Sequence, residues 1–165
     1  AAGVVAPFET VAAARLDAGL FVQATLSSIS QVFLKGSGIA ALLFLAGLAV
    51  SSGAAAIAAI GGAIVAVVTA HLLGAESDLV TGGLLGFSPV LTAVALATVF
   101  NRPGLRVAAY AALGTVFTVV AQAAVNVALT PLAIPALTAP FVLVTWMFLL
   151  ARPVLADADA DRAEG

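Results

Sequence analysis

Cysteine is absent from the 165 residues, which excludes disulfides, thiolate nucleophiles and cysteine-ligated metals. Histidine occurs once, as His71, so a multi-histidine metal centre cannot form within one chain. Charge is scarce as well. Asp, Glu, Lys and Arg make up 8% of the sequence, against roughly a quarter in a soluble domain. The basic residues form no cluster able to neutralise a phosphate backbone, and the formal net charge is −2, so nucleic acid is not an expected partner. The chain begins Ala-Ala-Gly, without Met and without the basic segment or cleavage site of a signal peptide.

What fills the sequence is apolar: 63% of residues are hydrophobic and the mean hydropathy is +1.22. That composition points to an all-α integral membrane protein, since a helix spans a bilayer with about 20 apolar residues. Residues 54–73, 79–100 and 107–129 meet that length, and 136–150 forms a last apolar stretch closed by Arg152-Pro153. Residues 38–50 are short for a span. Residues 19–34 are short too and carry Gln23, Ser27, Ser28, Ser30 and Gln31, a polar enrichment that suits a re-entrant half-helix. The expectation is about five spans plus one re-entrant piece. The chain then divides into an N-terminal segment at 1–18, a membrane unit at 19–151 and a disordered tail at 152–165, whose alternating Asp and Ala offer no apolar face.

Charge placement gives an orientation. Arg102 and Arg106 share a loop, Arg152 and Arg162 lie in the tail, and the Glu76/Asp78 loop has no basic residue. The positive-inside rule puts the basic regions and the C-terminus in the cytoplasm of a multi-pass inner (plasma) membrane protein. Lys35 votes against this, alone. Tyr110 and Trp146 are expected near cytoplasmic helix ends.

Pro-x-Leu-Thr-Ala occurs twice, at 89–93 and 135–139, the first after the glycine-rich run Gly82-Gly83-Leu84-Leu85-Gly86. Helix breakers inside apolar segments free backbone groups, which a membrane tolerates only against buried protein or a polar cavity. Pore or carrier chemistry follows. Apart from His71, every ionisable side chain falls in a loop, a helix end or the tail, and His71 itself lies near the acidic loop. A proton relay or an enzyme therefore lacks its groups, no cofactor or metal is implied, and a neutral solute fits best. Gln31 can exchange hydrogen bonds with an amide-like solute or pack between helices. Phe33, Phe87 and Phe141 stand beside breaks, where aromatic faces can hold a flat solute, although filling a core is their ordinary role. Thr92 and Thr138 offer hydroxyls that otherwise bond back to their own helix. Gly61-Gly62 is expected to allow close helix approach, and Gln122 and Asn126 share a helix face suited to bonding between helices.

Taken together, Ser30-Gln31-Val32-Phe33, the run from Gly83 through Phe87-Ser88-Pro89-Val90-Leu91-Thr92, and Ile134-Pro135-Ala136-Leu137-Thr138-Ala139-Pro140-Phe141 with Trp146 resemble the bacterial urea transporter family. The likeness covers about Ser27 to Leu150. It implies a passive, channel-like urea pore in homotrimers, each protomer built from two inverted repeats of five spans and a re-entrant helix. This chain matches one repeat, so a second repeat is implied as the partner that completes the pore. The substrate-binding positions implied are Gln31, Val32, Phe33, Leu34, Phe87, Leu91 and Thr138. Phe87 and Leu91 match the slot-lining pair, and Thr138 the threonine of the narrow middle. Two departures from the family pattern are Leu34, where an aromatic is common, and Ser88, where Asn follows Gly-Phe. The Met-less start and charged tail suggest a C-terminal half. Competing readings are a pore for ammonia, glycerol or other small neutral solutes, and a non-conducting membrane assembly subunit.

Overall fold

The structure, a computed structural model, describes residues 17–163. The expected N-terminal segment thus lies almost wholly outside the described residues. All elements within them are helical. Helix α1 (Ala18–Ser30) starts at Asp17, whose carboxylate accepts from the Leu20 amide at 2.8 Å, the usual N-cap arrangement. It tightens into a 3-10 turn at Gln31–Phe33 and stops at Leu34, which takes a left-handed φ of 55°. Helix α2 (Gly38–Ser51) then leaves at 72° to the first segment. This bend is a broken span or a re-entrant loop, which agrees with the break expected after 19–34.

Helix α3 (Gly53–Leu72) follows through Ser52, whose hydroxyl caps the Ala55 amide at 3.2 Å. Its 20 residues give about 30 Å at 1.5 Å per residue, enough to cross a hydrocarbon core. Helix α6 (Leu105–Leu129) continues as a 3-10 turn to Leu132, and the 28 residues also suffice for a crossing. The α1–α2 pair reaches the required length only as a bent unit, and the apolar stretches Phe87–Val99 and Ala139–Ala151 are shorter. By length and composition the expected five spans thus resolve into two full-length helices, one bent pair and two shorter pieces.

The expected continuous span at 79–100 is corrected by the structure. It consists of a short α4 (Ser77–Thr81), a glycine turn, α5 (Phe87–Val94) and a π-helical extension at Ala95–Val99. Gly83 has a φ of +71°, open to glycine at no steric cost. A Cβ there would also lie 2.4 Å from the Ser27 carbonyl carbon, so α1 rests directly on this turn. Pro89 does not break α5; it occupies the third helical position, where an N–H would have no intrahelical partner. The second Pro-x-Leu-Thr-Ala copy lies in the link before α7 (Ala139–Ala163), and only Ala139 enters the helix. The two copies therefore share a sequence and not a conformation. Helix α7 also runs through most of the tail expected to be disordered.

Packing centres on α5, which contacts α1, α3, α6, α7 and the Gln31–Phe33 turn. Phe87, Ser88, Pro89, Val90, Thr92 and Ala93 are all buried there. Small side chains make this possible: Ala55, Ala59, Gly62, Ala63, Ala66 and Ala70 form the buried stripe of α3. The Gly61-Gly62 pair divides in role. A Cβ on Gly62 would come within 2.4 Å of the Ala93 Cβ, whereas one on Gly61 would meet nothing within 4 Å. Tyr110 donates its hydroxyl to the Phe148 carbonyl, which joins α6 to α7 near the α6 N-terminus. Bulky apolar residues cover much of the outside, including Val50, Ile57, Leu72 and Leu105, as lipid contact requires.

The asymmetry of the glycine pair sets an expected outcome. Gly62→Ala should destabilise the folded chain by about 1–3 kcal/mol, the usual cost of overpacking. Gly61→Ala should be neutral or stabilising by about 0.5–1 kcal/mol through helix propensity. Thermal or denaturant unfolding of the two variants in one detergent checks the ordering.

Candidate functional site

The interruptions expected from the sequence converge on the N-terminal end of α5. The Gln31 side chain sits on the 3-10 turn that ends α1 and donates from Nε2 to the Gly82 carbonyl at 3.1 Å. Ser88, on the first turn of α5, donates from Oγ to the Leu137 carbonyl at 3.2 Å. Leu137 has a φ of 45°, so its carbonyl leaves the helical direction and becomes available to a side chain. These bonds join residues 51 and 49 positions apart, and they tie the α1–α2 bend and the link before α7 to the N-terminal side of α5.

Smaller contacts complete the support. Ser28 Oγ bonds back to the Ala24 carbonyl at 2.8 Å, and a Cβ on Gly86 would fall 2.0 Å from that oxygen. Ser30 accepts from the Ser37 amide at 3.3 Å across the α1–α2 bend. The serines whose polarity suited a re-entrant half-helix thus serve as packing surface and caps. Thr92 bonds to the Ser88 carbonyl at 3.2 Å and to the Thr118 hydroxyl at 2.9 Å, wholly buried between α5 and α6. Gln122 donates to Asn126 on its own helix at 3.2 Å, so the expected bond between helices is not made by that amide. Its Oε1 is buried without a partner, as is the Thr145 hydroxyl.

The sequence-chosen positions fall into distinct settings. Phe87 is buried, at the start of α5, and Leu91 one turn on is half-buried. Thr138 is exposed at the mouth of α7 and its hydroxyl makes no hydrogen bond among the described residues, although its carbonyl accepts from Val142 at 3.2 Å. Val32 packs with Ile29, Ala41, Ala59, Ala63 and Val90. Phe33 and Leu34 are 64% and 72% exposed. Phe33 stacks edge-on with Phe44 of α2 at 5.2 Å, and the two line a shallow groove with Leu43 and Leu48. Its ring partner is thus neither Phe87 nor Phe141, and an aromatic slot is not assembled from these residues alone. Hydrogen bonds bring Gln31 and Thr138's neighbour Leu137 onto the α5 end, near Phe87, while Phe33 and Leu34 face outward.

Sequence reasoning missed Ser88 as a latch and the Ser27-Ser28 seat for the glycine turn. The signal was present as small residues in both segments, but nothing local says which small surfaces meet.

Broken helices that satisfy one another's carbonyls inside an apolar chain are the arrangement a membrane tolerates. No curated protein matches the chain. The family model for urea transporters matches residues 2–153, most of its length and all of the elements described above up to the second half of α7. The chain therefore belongs to the urea transporter family, whose substrate is urea and whose place is a membrane.

Proposed function

We propose that the chain supplies one half of the lining of a passive, channel-like urea pore. The observation that supports this best is the latch pair, Gln31 to Gly82 and Ser88 to Leu137, beside a Thr138 hydroxyl left free and exposed. Urea is flat, neutral and rich in N–H donors. A slot walled by Phe87 and Leu91 would hold its faces, while the Thr138 hydroxyl and carbonyls of the 133–138 link would accept from its amides, each replacing a bond to water. Weak binding at successive acceptors lets the solute leave as readily as it enters. An ion would lose more hydration than such a slot returns.

The remaining wall is assigned to a second, inverted repeat. The outward exposure of Phe33, Leu34 and Thr138 supports this, because surfaces of this kind gain cover from a partner. Complete protomers then form a trimer in the inner membrane with the C-terminus in the cytoplasm, as the resemblance and the arginine placement imply. The channel reading is preferred to an assembly subunit because the Thr138 hydroxyl is exposed beside the Ser88–Leu137 bond, where it can meet a solute.

Proteoliposome flux tests the reading. Urea should pass when this chain is fused to a complementary repeat and not when it is reconstituted alone; flux from the single chain would refute the half-pore. Within the fusion, Thr138→Val should reduce urea flux roughly two- to tenfold, the worth of one hydrogen bond of about 0.5–1.5 kcal/mol. Glycerol leak should change less. Ser88→Ala should instead lower thermal stability by about 1 kcal/mol or more, through the released Leu137 carbonyl, and reduce flux with it. Loss of stability without any change of flux in both variants would favour the assembly-subunit reading.

A further inference from the structure

Beside the C-terminal end of α5, α3 and α6 leave an open apolar groove of about 370 Å³. Gly61 and Val65 line one side, Ala108 the other, and Ala97 lies between. The groove follows α3 from Ala54 to Val65, a length of about 16 Å at 1.5 Å per residue. Gly61 opens onto it without a neighbour within 4 Å, while the adjacent Gly62 is in tight contact with Ala93, so the groove exists because one glycine of the pair is unfilled. At one end it reaches Pro103 and Gly104, immediately before α6.

Charge at that end selects an occupant. Arg102 directly precedes the two mouth residues and Arg106 lies on the first turn of α6; both are exposed. The α6 N-terminus adds amides with no side-chain cap from Gly104. We infer that this groove binds an anionic phospholipid, with an acyl chain along Gly61 and Ala108 and the phosphate against Arg102, within the field of Arg106. The apolar length fits a hydrocarbon chain, and the cationic mouth fits an anion at the depth where headgroups lie. A second copy of the same face is a poorer occupant, since a two-fold contact would bring like charges together.

Native mass spectrometry of the full chain, released from detergent with phosphatidylglycerol or with phosphatidylcholine of identical acyl chains, reads the binding directly. Phosphatidylglycerol should bind at least about fivefold better, the factor expected for each basic residue near an anionic headgroup. The Arg102→Gln, Arg106→Gln double variant should erase that preference. Gly61→Leu, whose Cβ meets no atom within 4 Å and whose side chain enters the groove, should weaken binding of both lipids. Equal binding of the two lipids, a preference that survives loss of both arginines, or unchanged binding in Gly61→Leu would each overturn the assignment. A changed oligomeric state in Gly61→Leu with unchanged lipid binding would give the groove to a second copy instead.

Discussion

Backbone groups released by a helix break have no water to turn to in a bilayer, and this constraint organises the whole chain. The two carbonyls exposed by the breaks on either side of α5 are answered from other elements. The glycine turn before α5 gives the Gly82 carbonyl to Gln31, and the link before α7 gives the Leu137 carbonyl to Ser88. The α1–α2 bend gives the Ser37 amide to Ser30. Because the side chains that answer the Gly82 and Leu137 carbonyls sit on other segments, satisfying the backbone also fixes where those segments lie. The same bonds that make the breaks tolerable thus bring them to one place.

Close approach makes those bonds reachable. Helix α5 is short and almost entirely buried, and it can be surrounded on several sides only because its neighbours present alanine, glycine and serine. Without a hydrophobic drive between helices in lipid, such packing and the occasional buried hydroxyl pair carry association. The Thr92–Thr118 pair is one example, and it shows what a threonine does when its task is cohesion. Thr138 has no such partner among the described residues. Thr138 differs from Thr92 in being exposed, where a hydroxyl can meet a solute.

The sequence was most legible where the apolar run and its punctuation agree. The expected span at 54–73 became Gly53–Leu72, bounded by the Ser51-Ser52-Gly53 cap, and 107–129 became Leu105–Leu129 after Asn101-Arg102-Pro103-Gly104. The run at 79–100 misled because hydropathy is blind to the turn that Gly82, Gly83 and Gly86 permit, and because Pro89 starts a helix as readily as it ends one. In α1 the polar residues suited a re-entrant half-helix, and local back-bonding and contact with the glycine turn account for Ser28 and Ser30. Gln31, Phe33, Phe87 and Thr138 stood out from the residues themselves, and the family resemblance added Val32, Leu34 and Leu91. The latch through Ser88 depends on contacts between residues 49 positions apart, which no local pattern encodes.

The measurement that reaches the central claim most directly is the position of a bound urea analogue. A selenium-substituted urea, soaked into crystals of the chain joined to a complementary repeat, can be located by its anomalous scattering. The account predicts a peak beside Phe87 and Leu91, within hydrogen-bond reach of the Thr138 hydroxyl. A peak elsewhere in the protein, with the Phe87–Thr138 region empty, would contradict it.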